Sequence, residues 1–213
     1  MNEFLWQTFI TLFVVIDPFA IVPVFISLTC SDKKEVKVKT AKKACFISLV
    51  LLLSFAFLGE KLLDVMNISE SAFRIAWGFL LFLAALDMVI SQNTGMRAPT
   101  GDETKEAAQR DDISVFPLAI PLIAGPGALT STVVLMRQAE GVSLLAQTSV
   151  VALLVIVLLI VYICLRAGDP IMRILGVTGT NVLTRVFGII LSALAVQSML
   201  TGITMAIKAA CAP

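Results

Sequence analysis

Six long windows of the chain carry almost no charge. They are Phe4–Ser31, broken only by Asp17, then Ala44–Gly59, Ile75–Met96, broken only by Asp87, Ile113–Met136, Gly141–Leu165 and Val186–Ile207. A bilayer core about 30 Å thick takes roughly 20 residues of helix, and shorter spans are tolerated. The windows therefore predict an all-α polytopic membrane protein with six spanning helices. They are continuous rather than short and alternating, which selects helices over barrel strands. Composition agrees: 58% of the 213 residues are hydrophobic and mean hydropathy is +0.96. One soluble core of this size cannot hide that much apolar surface.

The opening "MNEFLWQTF" has no basic n-region, and no small-residue cleavage site follows, so it reads as the first span and not as a removable signal. Twelve of the sixteen Lys and Arg fall in the odd connections, six of them in "SDKKEVKVKTAKK". By the positive-inside rule the odd connections are cytoplasmic and both termini periplasmic. Cys30, Cys45, Cys164 and Cys211 are scattered and show no ligand spacing or disulfide framework. There is no histidine, nucleotide loop, metal-ligand cluster or nucleophile with a recognisable base. The expectation is a non-enzyme without metal or cofactor. A net charge of +1, with no basic stripe interleaved with aromatics, gives no nucleic-acid partner. Membrane lipids are the implied surroundings, and the lysine-rich first connection is most simply a topology determinant, with anionic-lipid binding a weaker reading.

The polar stretch 92–112 divides the chain into residues 1–91 and 113–213, each with three spans, and reads as a cytoplasmic linker. The halves resemble each other. "GEKLLDVMNIS" from Gly59 aligns with "GDPIMRILGVT" from Gly168, and "GFLLFLAALDMV" from Gly78 with "GIILSALAVQSM" from Gly188, which sets Asp87 against Gln197. Pro18 and Pro23 have the spacing of Pro121 and Pro126. A repeat of three spans inverts on its second copy, an architecture recurrent in secondary transporters.

Two spans carry breaks. Asp17 lies about 20 Å along the helix from Phe4, at hydrocarbon depth. Pro18 and Pro23 each remove a backbone donor, and the residues before them are pushed from helical torsions. The fourth span holds "FPLAIPLIAGPGALTST", with Gly125 and Gly127 flanking Pro126. Such backbone must face protein or water. The half-helix after Gly125–Pro126–Gly127 begins with Thr130, Ser131 and Thr132, and its free N–H groups and positive dipole end suit a carboxylate. Ser27 lies a turn beyond Pro23. An acid at membrane depth is by default a functional candidate; the bland reading makes Asp17 a cap for the half-helix starting at Pro18. Asp87 reads equally as an interfacial acid, and Gln197 as an interhelical hydrogen-bonding group.

"VIDPFAIVPVFISLT" and "FPLAIPLIAGPGALTSTVVL", with "FRIAWGFLLFLAALDM" and "GITMAI", resemble the MarC family of bacterial inner-membrane proteins over essentially the whole chain. The resemblance implies a six-span protein related to proposed transporters of small neutral amino acids. Asp17, Pro18, Pro23, Gly125, Pro126 and Gly127 match the family pattern. That pattern usually carries Gly-Asn between the first-span prolines, where this chain has Ala20 and Ile21.

The expected function is secondary transport of small neutral amino acids or similar zwitterions by alternating access. Asp17, Pro18, Pro23, Ser27, Gly125, Pro126, Gly127, Thr130 and Ser131 would line the substrate site. Asp17, Asp87 and Gln197 would serve a coupling H+ or Na+. The alternative is a non-transporting membrane protein whose breaks serve packing or a partner.

Overall fold

A computed structural model describes residues 2–30, 32–90 and 113–211. The expected linker at 92–112 lies outside the described residues. All described regular structure is helical: α1 Asn2–Ile16, α2 Pro18–Leu28, α3 Lys34–Val65, α4 Glu70–Ile90, a wide π-type segment Ser114–Ile123, α5 Pro126–Glu140, α6 Leu144–Arg166 and α7 Gly168–Cys211. Among the described residues, five stretches are long and apolar enough to cross a membrane, with α1 and α2 taken as one. The π-segment and α5, bent by 57° at their junction, make a sixth if the pair is one span. Phe46, Phe57, Leu58, Phe79 and Ile189 stand on the outer surface. An apolar exterior this extensive is a face for lipid.

The first break falls at Asp17, between α1 and α2. Its backbone is left-handed (φ 49°, ψ 74°), a region aspartate visits more readily than most residues. Its N–H closes α1 on the Phe13 carbonyl at 2.9 Å, and its Oδ1 accepts from Ala20 N at 3.3 Å. Pro18 sits at the first position of α2, where a missing N–H costs nothing. Pro23 stays inside α2 without ending it.

The second break falls at Ala124 and Gly125. Before it, Phe116 and Ile120 take extended torsions ahead of Pro117 and Pro121, because a following proline disfavours the helical region. Helix α5 then starts with Pro126 in its first turn. Asp17-Pro18 and Gly125-Pro126 each stand at the start of a helix. The equal spacing of the two proline pairs points elsewhere, to Pro121, which lies within the irregular segment.

Two expected connections are largely helix. The lysine-rich stretch from Lys34 forms the first turns of α3, whose 32 residues extend about 48 Å, well beyond a bilayer core. The stretch from Gly168 opens α7, with Gly176 interrupting it at φ 62°. Charge there reports the end of the hydrocarbon, not the end of the helix.

Helices α4 and α7 pack antiparallel at backbone contact. A Cβ on Gly78 would lie 2.8 Å from the Ala195 carbonyl oxygen, one on Gly188 3.0 Å from that of Ala85, and one on Gly202 2.9 Å from that of Ser71. Ser71, Gly78 and Ala85 recur every seven residues, as do Gly188, Ala195 and Gly202. Small residues at this interval hold one seam against its partner. Between membrane helices, where lipid is as apolar as leucine, such close packing and not water exclusion drives association.

Three buried hydroxyls are satisfied locally. Thr29, Ser48 and Thr132 each donate to the carbonyl four residues back, at 2.8, 2.9 and 2.8 Å. This is the economical solution where no water is at hand.

Candidate functional site

The two breaks differ in how their new helices begin. Helix α2 carries its own cap: the fully buried Asp17 side chain accepts from Ala20 N. Helix α5 has no such group, because Gly125 at its cap position makes no side-chain bond. Pro126 has no N–H, and Leu129 N donates to Gly125 O at 3.0 Å. The N–H groups of Gly127 and Ala128 belong to the orphan set of a helix start. The dipole behind them makes this helix start a partial positive charge.

That helix start borders a shallow cleft. Gly125, Pro126, Gly127 and Ala128 form one side; Leu80 and Ala84 of α4 and Val15 of α1 form the other. The end of the π-segment, at Pro121 and Ile123, contributes the rest. The lining is apolar apart from backbone. The chemistry of this lining, a helix start beside an apolar wall, matches one charged group with an apolar remainder.

On the opposite side of the α5 start, α4 and α5 are zipped together. Glu70, bonded to Arg74 at 3.0 Å, also reaches Arg137 near the end of α5 at 3.9 Å. Further along, the Trp77 indole N–H donates to Ser131 Oγ at 3.0 Å, with both residues buried. Next, a Cβ on Gly127 would lie 3.7 Å from Leu81 Cδ2 and 3.4 Å from Val15 Cγ1. Contact therefore runs unbroken from the Glu70 end of α4 to the break. The cleft begins beyond it, on the Leu80–Ala84 part of α4.

Aromatic rings cover the first break. Phe13 lies edge-on to Phe19 at 6.3 Å, and both touch Phe187 of α7, at 5.7 and 6.2 Å. Rings from both sides of the break meet a third from α7, so the irregular backbone at Asp17 is shielded by protein, as membrane depth requires.

The structure brings only part of the expected set together. Gly125, Pro126 and Gly127 line the cleft, while Asp17 and Pro18 are buried at the neighbouring break. Ser131 is buried but engaged by Trp77. Thr130 turns its hydroxyl back on Pro126 O at 2.7 Å. Pro23 is half-buried within α2, and Ser27 is exposed one turn on. Asp87 is half-buried on α4. Gln197 is exposed on α7, because the seam through Ala195 and Gly188 turns it outward and away from the interhelical role expected of it. Trp77, Leu80 and Ala84 were not legible as site residues. A tryptophan deep in a span, whose N–H needs a partner, is the one signal that pointed to them.

Residues 2–207 match the family described as MarC family integral membrane protein. A UPF0056 membrane protein of Methanocaldococcus jannaschii is 38% identical over 195 residues, covering 92% of this chain and 93% of that protein. The UPF0056 membrane protein YhcE of Escherichia coli is 37% identical over 201 residues, covering 93% and 91%. One from Archaeoglobus fulgidus is 36% identical over 201 residues, covering 94% and 92%. No solved structure matches the chain. None of these names states a substrate. The family match takes in both breaks, the α4–α7 seam and the cleft, and the chain belongs to the MarC family of integral membrane proteins.

Proposed function

We propose that the protein is a secondary transporter of small neutral amino acids or similar zwitterions, working by alternating access. The observation that carries this reading is the difference between the two breaks. One helix start is capped by the buried Asp17 side chain, and the other has no side-chain cap and borders a cleft. A substrate carboxylate takes the place at Gly127 and Ala128 that no side chain fills, and its short side chain lies against Val15, Leu80 and Ala84. Asp17 serves the substrate ammonium or a coupling H+ or Na+, with Asp87 a second candidate for the ion.

Three correspondences support two inverted three-helix repeats. Asp17-Pro18 and Gly125-Pro126 each start a half-helix. Asn67 and Gly176, matched when Gly59 is aligned with Gly168, both have positive φ, 53° and 62°. With Gly78 aligned to Gly188 and Ala85 to Ala195, the contact of Gly78 with Ala195 becomes that of Gly188 with Ala85. A pseudo-two-fold axis through the α4–α7 seam accounts for that exchange.

By the lysine and arginine bias the Glu70 end of α4 is periplasmic, and the cleft opens toward the cytoplasm. The α4–α5 zipper is then the closed outer gate of an inward-facing state. Reconstituted in vesicles, the protein should take up alanine, glycine or serine under a proton or sodium gradient. No movement of any member of a broad amino-acid panel under either gradient would sink the reading. The other reading, a membrane protein whose breaks serve packing, is favoured by the Asp17 cap itself. It predicts that Asp17 substitutions alter stability alone.

A further inference from the structure

At the end of the bundle where α3 begins and α6 ends, a second cleft gathers three cations. Lys34 and Lys37 come from the first turns of α3 and Arg166 from the last turn of α6, with Asp169 of α7 beside them. Among the described residues none of these four side chains takes part in an ion pair or hydrogen bond. Positive charge is therefore in excess, and the N-terminal dipole of α3 adds to it. The floor is apolar, made by Phe25 and Ile26 of α2. Helix α7 closes tightly on it: a Cβ on Gly168 would lie 3.2 Å from Ile26 Cδ1.

Unpaired cations are ordinary on a soluble surface, where water solvates them. Here they sit over the buried Phe25 and the half-buried Ile26, where the apolar part of α3 gives way to its lysine-rich turns. A free anion would use the cations and leave the floor bare. A phosphate joined to acyl chains uses both, and basic pockets between spans at headgroup level have this chemistry. We propose that the cleft formed by Lys34, Lys37 and Arg166 over Phe25 and Ile26 binds the phosphate of an anionic phospholipid. Arg166 offers paired donors to two phosphate oxygens. Lys34 and Lys37 neutralise the charge, and the chains leave past Ile26 into the bilayer. Asp169 limits the affinity by facing the same phosphate. Lys39, Lys42 and Lys43, exposed further along α3, lie outside the cleft and supply only diffuse attraction.

The test uses the full chain in nanodiscs of phosphatidylcholine with a minority of phosphatidylglycerol, reading lipid adducts by native mass spectrometry. The native chain should keep phosphatidylglycerol in preference to phosphatidylcholine. A Lys34→Gln/Lys37→Gln/Arg166→Gln variant should lose that preference several-fold, and Asp169→Asn should strengthen it. Should the triple variant fail to fold, Asp169→Asn and Lys34→Gln alone carry the comparison in opposite directions. Equal retention by native and variant chains overturns the proposal. So does an equal loss on Lys39→Gln/Lys42→Gln, which would make the effect one of diffuse charge. Inorganic phosphate displacing the lipid at low concentration would also overturn it, in favour of a soluble anion site. Transport is not read at any point, so the outcome is independent of the transporter reading.

Discussion

The Trp77 indole N–H is bonded to Ser131 Oγ at 3.0 Å, joining the third span of the first half to the half-helix that opens the candidate site. Both groups are buried, so neither has water as a substitute. Ser131→Ala should leave the indole donor unsatisfied, at a cost of about 1–3 kcal/mol. In a Trp77→Phe background the same change should cost much less, since the donor is already gone. Thermal unfolding of the four proteins in one detergent would measure the coupling. Additive losses would mean that the bond contributes nothing.

Asp17 combines a cap with a buried carboxyl group, and two substitutions separate these roles. Asp17→Asn keeps an oxygen for Ala20 N and removes the charge. It should fold with near-native thermal stability and lose amino-acid uptake. Asp17→Ala loses the cap as well and should be destabilised by about 1 kcal/mol or more. Full uptake by Asp17→Asn would leave the residue a structural cap only.

The two kinds of special glycine should respond differently to alanine. A Cβ on Gly78 meets backbone of α7 at 2.8 Å, which a helix can relieve only by moving apart. Gly78→Ala should cost about 1–3 kcal/mol through overpacking. A Cβ on Gly176 meets nothing within 4 Å, so Gly176→Ala is limited by its positive φ alone. That penalty is about 1–2 kcal/mol. Adding Gly202→Ala to Gly78→Ala should widen the first case and leave the second untouched, as read by melting temperature.

Accessibility should report the state of the cleft. In a background with Cys30, Cys45, Cys164 and Cys211 replaced, Ala84→Cys should react with a membrane-impermeant thiol reagent from the cytoplasmic side only. Breaking the zipper with Glu70→Gln should make it react from the periplasmic side as well. Labelling of Ala84→Cys from the periplasm in the unbroken protein would reverse the assigned orientation.

Much of the architecture was legible in the chain itself. Five of the six apolar windows fall on helices long and apolar enough to span, and the other falls on the bent pair, because burial in hydrocarbon demands long uncharged runs and internal backbone bonding, and both demands are local. The breaks at Asp17 and Gly125 were equally legible, since proline acts on its own residue and the one before it. The lysines from Lys34 onward were misleading as a loop. Charge marks where hydrocarbon ends, and a helix continues past that point wherever its own hydrogen bonds suffice.

The candidate site was half legible. Asp17 and the Gly125–Pro126–Gly127 turn could be named because an acid or a broken helix is conspicuous at membrane depth. Leu80, Ala84 and Val15 could not, since apolar residues in a span look alike whichever way they face. Gln197 showed the same limit from the other side: aligned with Asp87 by sequence, it is turned outward by the seam that packs Ala195 against Gly78.

By itself, then, the sequence determined that the chain crosses the membrane in helices and where two of them must break, because those consequences follow from each residue and its immediate neighbours. Tertiary structure decided which residues face the cleft and which end of α4 is packed against α5. Those outcomes depend on how α4 is rotated against α5 and α7. That rotation is set by glycine contacts between segments far apart in the chain, which no local pattern records.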